Sequence, residues 1–165
     1  MKIRFVIPLV VFAMSTLVGS TVTRAQSTPK EATPTMHATG PFDVKVTRQD
    51  DNSEDPLLNR MTLDKHYHGD LEAAGKGQML AAGTEVKGSG AYVAIEKVTG
   101  TLHGHNGSFV LQHTGTMTQS VPQLTIVVVP DSGTGELKGL TGKMTINIAA
   151  DGKHSYELEY TLPSH

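Results

Sequence analysis

Apolar and polar residues alternate with a period of two along most of this chain. Phe42, Val44 and Val46, for example, are separated by Asp43 and Lys45. Because successive side chains of a strand point to opposite faces, this pattern predicts strands that each bury one face. The predicted strands cover residues 42–46, 61–67, 71–82, 91–102, 108–117, 121–129, 137–148 and 155–162.

The spacing of these segments predicts an all-β domain of about eight antiparallel strands. Turn-forming residues separate the segments, and Gly75 and Gly77 weaken the helical alternative for residues 71–82. Residues 103–107 (HGHNG) predict a hairpin with a longer loop. Eight strands suit a small closed barrel, with a β-sandwich as the alternative. The 17 glycines favour the barrel, because strongly coiled strands need glycine at their bends.

The first 25 residues have the layout of a secretory signal peptide. Lys2 and Arg4 precede an apolar run over residues 5–18, and small residues at Thr23 and Ala25 suit a cleavage site. The run is shorter than the roughly 20 residues that a membrane anchor needs. We therefore predict a signal peptide at 1–25, a disordered linker at 26–35 and the barrel at 36–163. The route is general secretion, which leads to a periplasmic or extracellular protein without a membrane span.

The charge and cysteine counts limit the partners of the mature protein. Cleavage after Ala25 would leave 11 basic residues against 16 acidic ones, a net charge of −5. With no Lys/Arg cluster, nucleic acid and anionic membranes are not predicted partners. The chain contains no cysteine, so neither a disulfide nor a lipoprotein anchor can form.

Two sequence blocks carry a resemblance to a known family. Residues 107–116 (GSFVLQHTGT), preceded by Glu96 and by residues 99–102 (TGTL), form the first block, and residues 133–142 form the second. Over residues 36–162 the chain resembles a bacterial family known as domain of unknown function 3224. That family is similar to allene oxide cyclase-like and dirigent-like barrels. The resemblance implies an eight-stranded barrel but no single function, since such barrels serve several roles.

Glu96, His113 and Tyr92 are the candidate ligand-binding residues. Glu96 and His113 lie on the two arms of the hairpin, and a register in which paired residue numbers sum to 209 places them opposite each other on the inward face. Tyr92 points to the same side as Glu96. In an apolar cavity such a pair could contact a ligand or act as acid and base. The alternative is a structural hydrogen bond that fixes the hairpin.

No motif for a metal, a cofactor or a catalytic nucleophile is present. His66 and His68, and likewise His103 and His105, have the H-x-H spacing of metal ligands. The first two share a face with polar residues, which favours surface histidines over a metal site. Tyr156 and Tyr160 are predicted core residues. We therefore predict no metal site and no cofactor.

The function that these observations favour is binding of a small, mostly apolar molecule in the barrel cavity. One alternative is a cofactor-free cyclase or isomerase of the allene oxide cyclase type, in which the cavity folds a flexible substrate. Another is a structural or interaction protein with a filled barrel. Export favours binding over biosynthesis, so an enzyme is the less favoured interpretation. Association into an oligomer is compatible with the pattern.

Overall fold

Eight long strands dominate the structure, which is a computed structural model describing residues 33–49 and 55–164. The predicted signal peptide and most of the predicted linker lie outside the described residues. No helix among the described residues is long and apolar enough to cross a membrane. The strands are β1 Met36–Gln49, β2 Leu58–Tyr67, β3 Leu71–Gly83, β4 Gly90–Leu102, β5 His105–Thr118, β6 Val121–Val128, β7 Thr141–Ile148 and β8 His154–Thr161.

The strands form one closed antiparallel barrel in sequence order. Each strand pairs with the next one, and β1 pairs with β8 to close the ring, with Met36 opposite Tyr160. The predicted all-β class, the strand number and the closed barrel are confirmed, and the alternative β-sandwich is wrong. Closure suits this sequence because it removes both sheet edges without any covering helix.

The two ends of the barrel differ in how they are filled. At one end, which we call the closed end, Leu71, Leu102 and Tyr160 are fully buried. The connection between β6 and β7 contributes Leu137 and Leu140 to the same cluster. At the other end, the open end, the chain turns between β1 and β2, β3 and β4, β5 and β6, and β7 and β8.

Two details of the predicted strands need correction. The hairpin between β4 and β5 has a two-residue turn, not a longer loop: Leu102 pairs with His105, and His103 and Gly104 both have positive φ. This is the arrangement of the type I′ hairpin, which matches the twist of the flanking strands. The seventh strand begins at Thr141, because residues 135–137 form a short 3-10 helix that turns Leu137 into the core.

Candidate functional site

A buried ion pair lies inside the barrel. The Lys65 ammonium on β2 is 2.7 Å from Glu96 Oε2 on β4, and both side chains are almost completely enclosed. The Tyr67 hydroxyl donates a hydrogen bond of 2.8 Å to Glu96 Oε1 and lies 3.2 Å from the Lys65 nitrogen. That nitrogen also lies 5.3 Å from the ring centre of Phe42, within cation–π range. Both carboxylate oxygens are therefore occupied by partners from the protein itself.

Glycines on β3 allow this ion pair to form. Lys65 and Glu96 are on strands that do not touch, and β3 runs between them. The residue opposite Lys65 on β3 is Gly75, and the residue opposite Glu96 is Gly77. A Cβ atom on Gly75 would overlap Glu96 Oε1. The Glu96 carboxylate thus occupies the space that the Cβ atom of any residue other than glycine would fill at position 75.

His113 joins the cluster diagonally, so the register predicted for it is wrong. His113 pairs with Ala94, and Glu96 pairs with Leu111. The shorter turn shifts the register by two residues, and a shift of two keeps every side chain on its face. The prediction that Glu96 and His113 meet on the inward side therefore survives: His113 Nε2 lies 3.0 Å from Glu96 Oε2.

The contact between His113 and Glu96 is close but poorly aligned. Although the atoms are within ion-pair distance, His113 Nε2 makes no hydrogen bond of acceptable geometry and is fully enclosed. Among the described residues only one other enclosed side-chain atom, Asp64 Oδ1, shares this condition. Because enclosed polar atoms normally have partners, the Glu96 oxygen 3.0 Å away is the polar group that this nitrogen faces.

Tyr92 does not touch the ion pair. It lies on the same inward face of β4, four residues nearer the open end, and its ring covers Gly115 on β5. The tyrosine is half-buried, and burial raises the pKa of its hydroxyl. From the open end inward, the structure thus places Tyr92 first, then His113, then Glu96. The three candidate residues share one face but do not form one cluster.

The environment keeps Glu96 ionised. Burial alone would raise the pKa of this carboxyl, but the contacts of His113, Lys65 and Tyr67 outweigh burial and hold the pKa below its ordinary value. Burial and the adjacent carboxylate raise the pKa of the Tyr67 hydroxyl strongly. A carboxylate with a lowered pKa and two filled oxygens is a weak general base. The cluster is therefore better suited to a structural role, as a fixed polar surface inside the barrel, than to proton transfer.

Above this cluster, several large apolar side chains on the inward face of the open end are exposed. Val46, Met117, Leu124 and Ile148 alternate in phase with buried residues of their strands, so their side chains point inward. Their exposed fractions nevertheless range from 42% to 66%. We call these four residues the apolar mouth. Large apolar side chains that face an opening, and not a packed core, are typical of a binding surface.

The wall of the barrel is weakest beside this mouth. Strands β6 and β7 pair only through Ile126 with Met144 and Val127 with Lys143. Towards the open end, Leu124 on β6 and Ile146 on β7 are no longer paired with each other. Backbone pairing of the two strands thus stops two residues before these inward apolar side chains. We call this the β6–β7 notch.

Lys65 and Tyr67 are site residues that the sequence analysis did not select. Lys65 has the same phase as Leu63 and Tyr67, which were predicted to face one way along β2. A charged residue that points to the same face as apolar neighbours is unusual, and this feature could have identified Lys65 as a site residue. The Phe42 ring beside its ammonium and the glycine opposite it on β3 could not be predicted from the sequence of β2 alone.

The histidine pairs considered for metal binding lie outside the barrel. His66 and His68 are half or more exposed, as predicted, and each lies near a carboxylate on the surface. His103 contacts the Tyr160 hydroxyl at 2.7 Å. In the parts of the chain that the structure describes, no three His, Cys, Asp or Glu residues are placed to hold a metal ion. Tyr156 and Tyr160 are buried, which confirms them as core residues.

Comparisons with known proteins give the family but no activity. The family described as "Protein of unknown function (DUF3224)" matches residues 38–160. A solved protein of unknown function from this family, from Shewanella oneidensis MR-1, is 47% identical. The match covers 80% of this chain and 100% of that chain, with a TM-score of 0.75. The search of curated proteins found no match. The resemblance to the DUF3224 family that was predicted from the sequence is confirmed.

Proposed function

This chain belongs to the DUF3224 family, and we propose that it is an exported protein that binds one small, mostly apolar molecule at the open end of its barrel. The observation that carries this proposal is the apolar mouth. Four large side chains face inward at one end and remain about half exposed, whereas the opposite end is filled by buried leucines and Tyr160. Burying apolar surface yields roughly 25 cal/mol for each Å², so a ligand that covers these side chains would be held.

The polar residues below the mouth would give the ligand its orientation. A molecule entering from the open end meets Tyr92 first and His113 next, before it reaches the ion pair. His113 Nε2 is enclosed without a well-aligned partner, and Tyr92 carries a hydroxyl. A ligand with one hydroxyl or carbonyl group at its leading end would hydrogen-bond the half-buried Tyr92 hydroxyl, and the enclosed imidazole of His113 would lie below it. Glu96 would then act indirectly, by fixing the imidazole of His113.

The occupied carboxylate favours binding over catalysis. A cyclase that needs acid–base help would require a free carboxylate or imidazole pair, but Lys65 and Tyr67 already fill both oxygens of Glu96. The β6–β7 notch offers a bulky apolar molecule a side entrance to the mouth. In this proposal the apolar mouth holds the ligand, and the enclosed ion pair below it is a fixed polar boundary.

A matched pair of variants on β6 tests this proposal. Leu124 faces inward and Val121 faces outward on the same strand, and both are exposed. With the neutral apolar dye N-phenyl-1-naphthylamine as the probe, we expect the purified protein to enhance its fluorescence on binding. Leu124→Asp should weaken binding at least tenfold, whereas Val121→Asp should leave it unchanged.

The same experiment can reject the proposal. Absence of dye binding by the wild-type protein, or equal loss in both variants, would indicate a filled structural barrel. Circular dichroism and thermal unfolding of each variant establish that the fold is retained. Native mass spectrometry of protein purified from its own host, followed by organic extraction, would then identify the class of a retained molecule.

A further inference from the structure

A second apolar surface lies on the outside of the barrel wall. Leu80 on β3 pairs directly with Val93 on β4, and Ile95 follows on β4 with the same outward orientation. Their exposed fractions are 59%, 52% and 54%. Ala91 and Ala82 continue the apolar strip beyond them. This outer groove belongs to a hollow of about 1020 Å³ that spans β2 to β5.

Positive charge collects around the outer groove. Lys97 follows Ile95 on β4, and Lys76 lies directly opposite Lys97 on β3. Like charges directly opposite each other on a sheet are destabilising. Asp64 neutralises Lys76 at 2.6 Å, but Lys97 and Arg60 make no ion pair within the described residues. The groove therefore carries surplus positive charge, with Lys97 at one end of the apolar strip.

We propose that the outer groove binds a free fatty acid with a single unbranched chain. The carboxylate would pair with Lys97, and the alkyl chain would lie along Ile95, Val93 and Ala91 beside Leu80. Ala91 lies six positions before Lys97, and at about 3.3 Å per residue this strip is about 20 Å long. A single unbranched chain with one terminal anion has this combination of length and charge.

Two other occupants fit the groove less well. A second copy of this chain, bound through the same face, would bring Lys97 and Arg60 against the same positive groups. A peptide segment lying across the face would find no backbone partners, because β3 pairs with both neighbours from Ala73 to Ala82. Its own buried amide groups would then lack hydrogen bonds. An alkyl chain has no such groups to satisfy.

Calorimetric titration of the full-length protein with laurate, below its micelle concentration, tests the proposal. We expect laurate to bind and dodecyl maltoside, which has the same chain and a neutral head, to bind at least tenfold more weakly. Lys97→Glu and Val93→Asp should each weaken laurate binding at least tenfold. Both positions are exposed, so the barrel should remain folded in both variants.

Two controls separate this site from the apolar mouth and from charge in general. Lys138→Glu alters another exposed lysine outside the groove and should leave the affinity for laurate unchanged, as should Leu124→Asp in the mouth. In amide NMR spectra, laurate should shift signals of β3 and β4. No laurate binding, equal loss in Lys97→Glu and Lys138→Glu, or binding only to vesicles of anionic lipid would overturn the proposal.

Discussion

Lys65 and Glu96 form an ion pair across a strand that separates them, with the ammonium nitrogen 2.7 Å from Oε2. Their strands, β2 and β4, have no backbone contact with each other inside the barrel wall, and the side chains meet above the glycines of β3. Because each charge is almost completely enclosed, each depends on the other for its stabilisation.

Removing one charge of this pair should destabilise the protein strongly. In Glu96→Gln the Lys65 ammonium would remain buried without its counter-charge, and we expect a loss of about 3–5 kcal/mol in the free energy of unfolding. Urea denaturation measures this loss. The double variant Lys65→Met with Glu96→Gln should recover a large part of it, since neither charge then remains. If Glu96→Gln alone unfolds like the wild type, the pair does not stabilise the barrel.

Acid should weaken the fold through the same carboxylate. The pKa of Glu96 is lowered from 4.5 in the folded protein. Below the unfolded pKa, the unfolded chain binds the proton more readily than the folded one, so stability falls as the pH drops. The contribution of Glu96 is complete above about pH 5 and is lost as the pH passes below the folded pKa.

Unfolding free energies measured between pH 6 and pH 3 should therefore decline more steeply for the wild type than for Glu96→Gln. Partly buried aspartates whose pKa is also lowered, such as Asp64 and Asp70, remain in both proteins and serve as an internal control. Parallel curves would show that Glu96 has the same proton affinity in the folded and unfolded states.

Two inward glycines should respond differently to an added methyl group. In Gly75→Ala the new Cβ overlaps Glu96 Oε1, which Lys65 and Tyr67 hold in place. Overpacking of this kind costs about 1–3 kcal/mol. In Gly115→Ala the Cβ meets the ring of Tyr92, a half-exposed side chain that can swing towards the open end.

Thermal unfolding of the two variants compares these costs directly. We expect Gly75→Ala to lower the melting temperature clearly and Gly115→Ala to lower it less. Adding Glu96→Gln to Gly75→Ala should give a loss smaller than the sum of the two single losses, since both act on one carboxylate. Strict additivity would contradict the overlap between the Gly75 position and Glu96.

The β6–β7 notch should open more often than the rest of the barrel. Only Ile126 and Val127 of β6 pair with β7, whereas β3 is paired with β4 from Leu71 to Gly83. Fewer shared hydrogen bonds make local opening less costly. Hydrogen–deuterium exchange followed by mass spectrometry should show faster exchange in β7 than in β3 or β4. Equal protection of all strands would contradict this expectation.

The sequence predicts the fold well because the alternation of side chains is a local property. The phase of Tyr156, Leu158 and Tyr160, for example, gives both the strand and its buried face, and the structure confirms that face. Strand 137–148 was predicted too long because Leu137 and Leu140 continue the apolar pattern, although they belong to a turn that enters the core. Local pattern alone cannot separate these two arrangements.

The site was predicted only in part because it depends on pairing between strands. The inward orientation of Glu96 and His113 follows from phase and was correct. Their register depends on the length of the turn between β4 and β5. That turn is shorter than predicted, and the observed register differs from the predicted one by two residues. The contact between Lys65 and Glu96 could be predicted only from the alignment of three strands. That alignment shows that β3 lies between the two residues and has a glycine opposite each of them.

Pairing of the first strand with the last one also sets the order of events during synthesis. Met36 can pair with Tyr160 only after Tyr160 has been synthesised. The ribosome must therefore complete nearly the whole domain before the barrel can close. Until then the growing sheet keeps two unpaired edges, and long-range closure of this kind is a slow step of folding. A chain that stays open until its last strand is translated remains unfolded long enough for factors that handle nascent polypeptides to engage it.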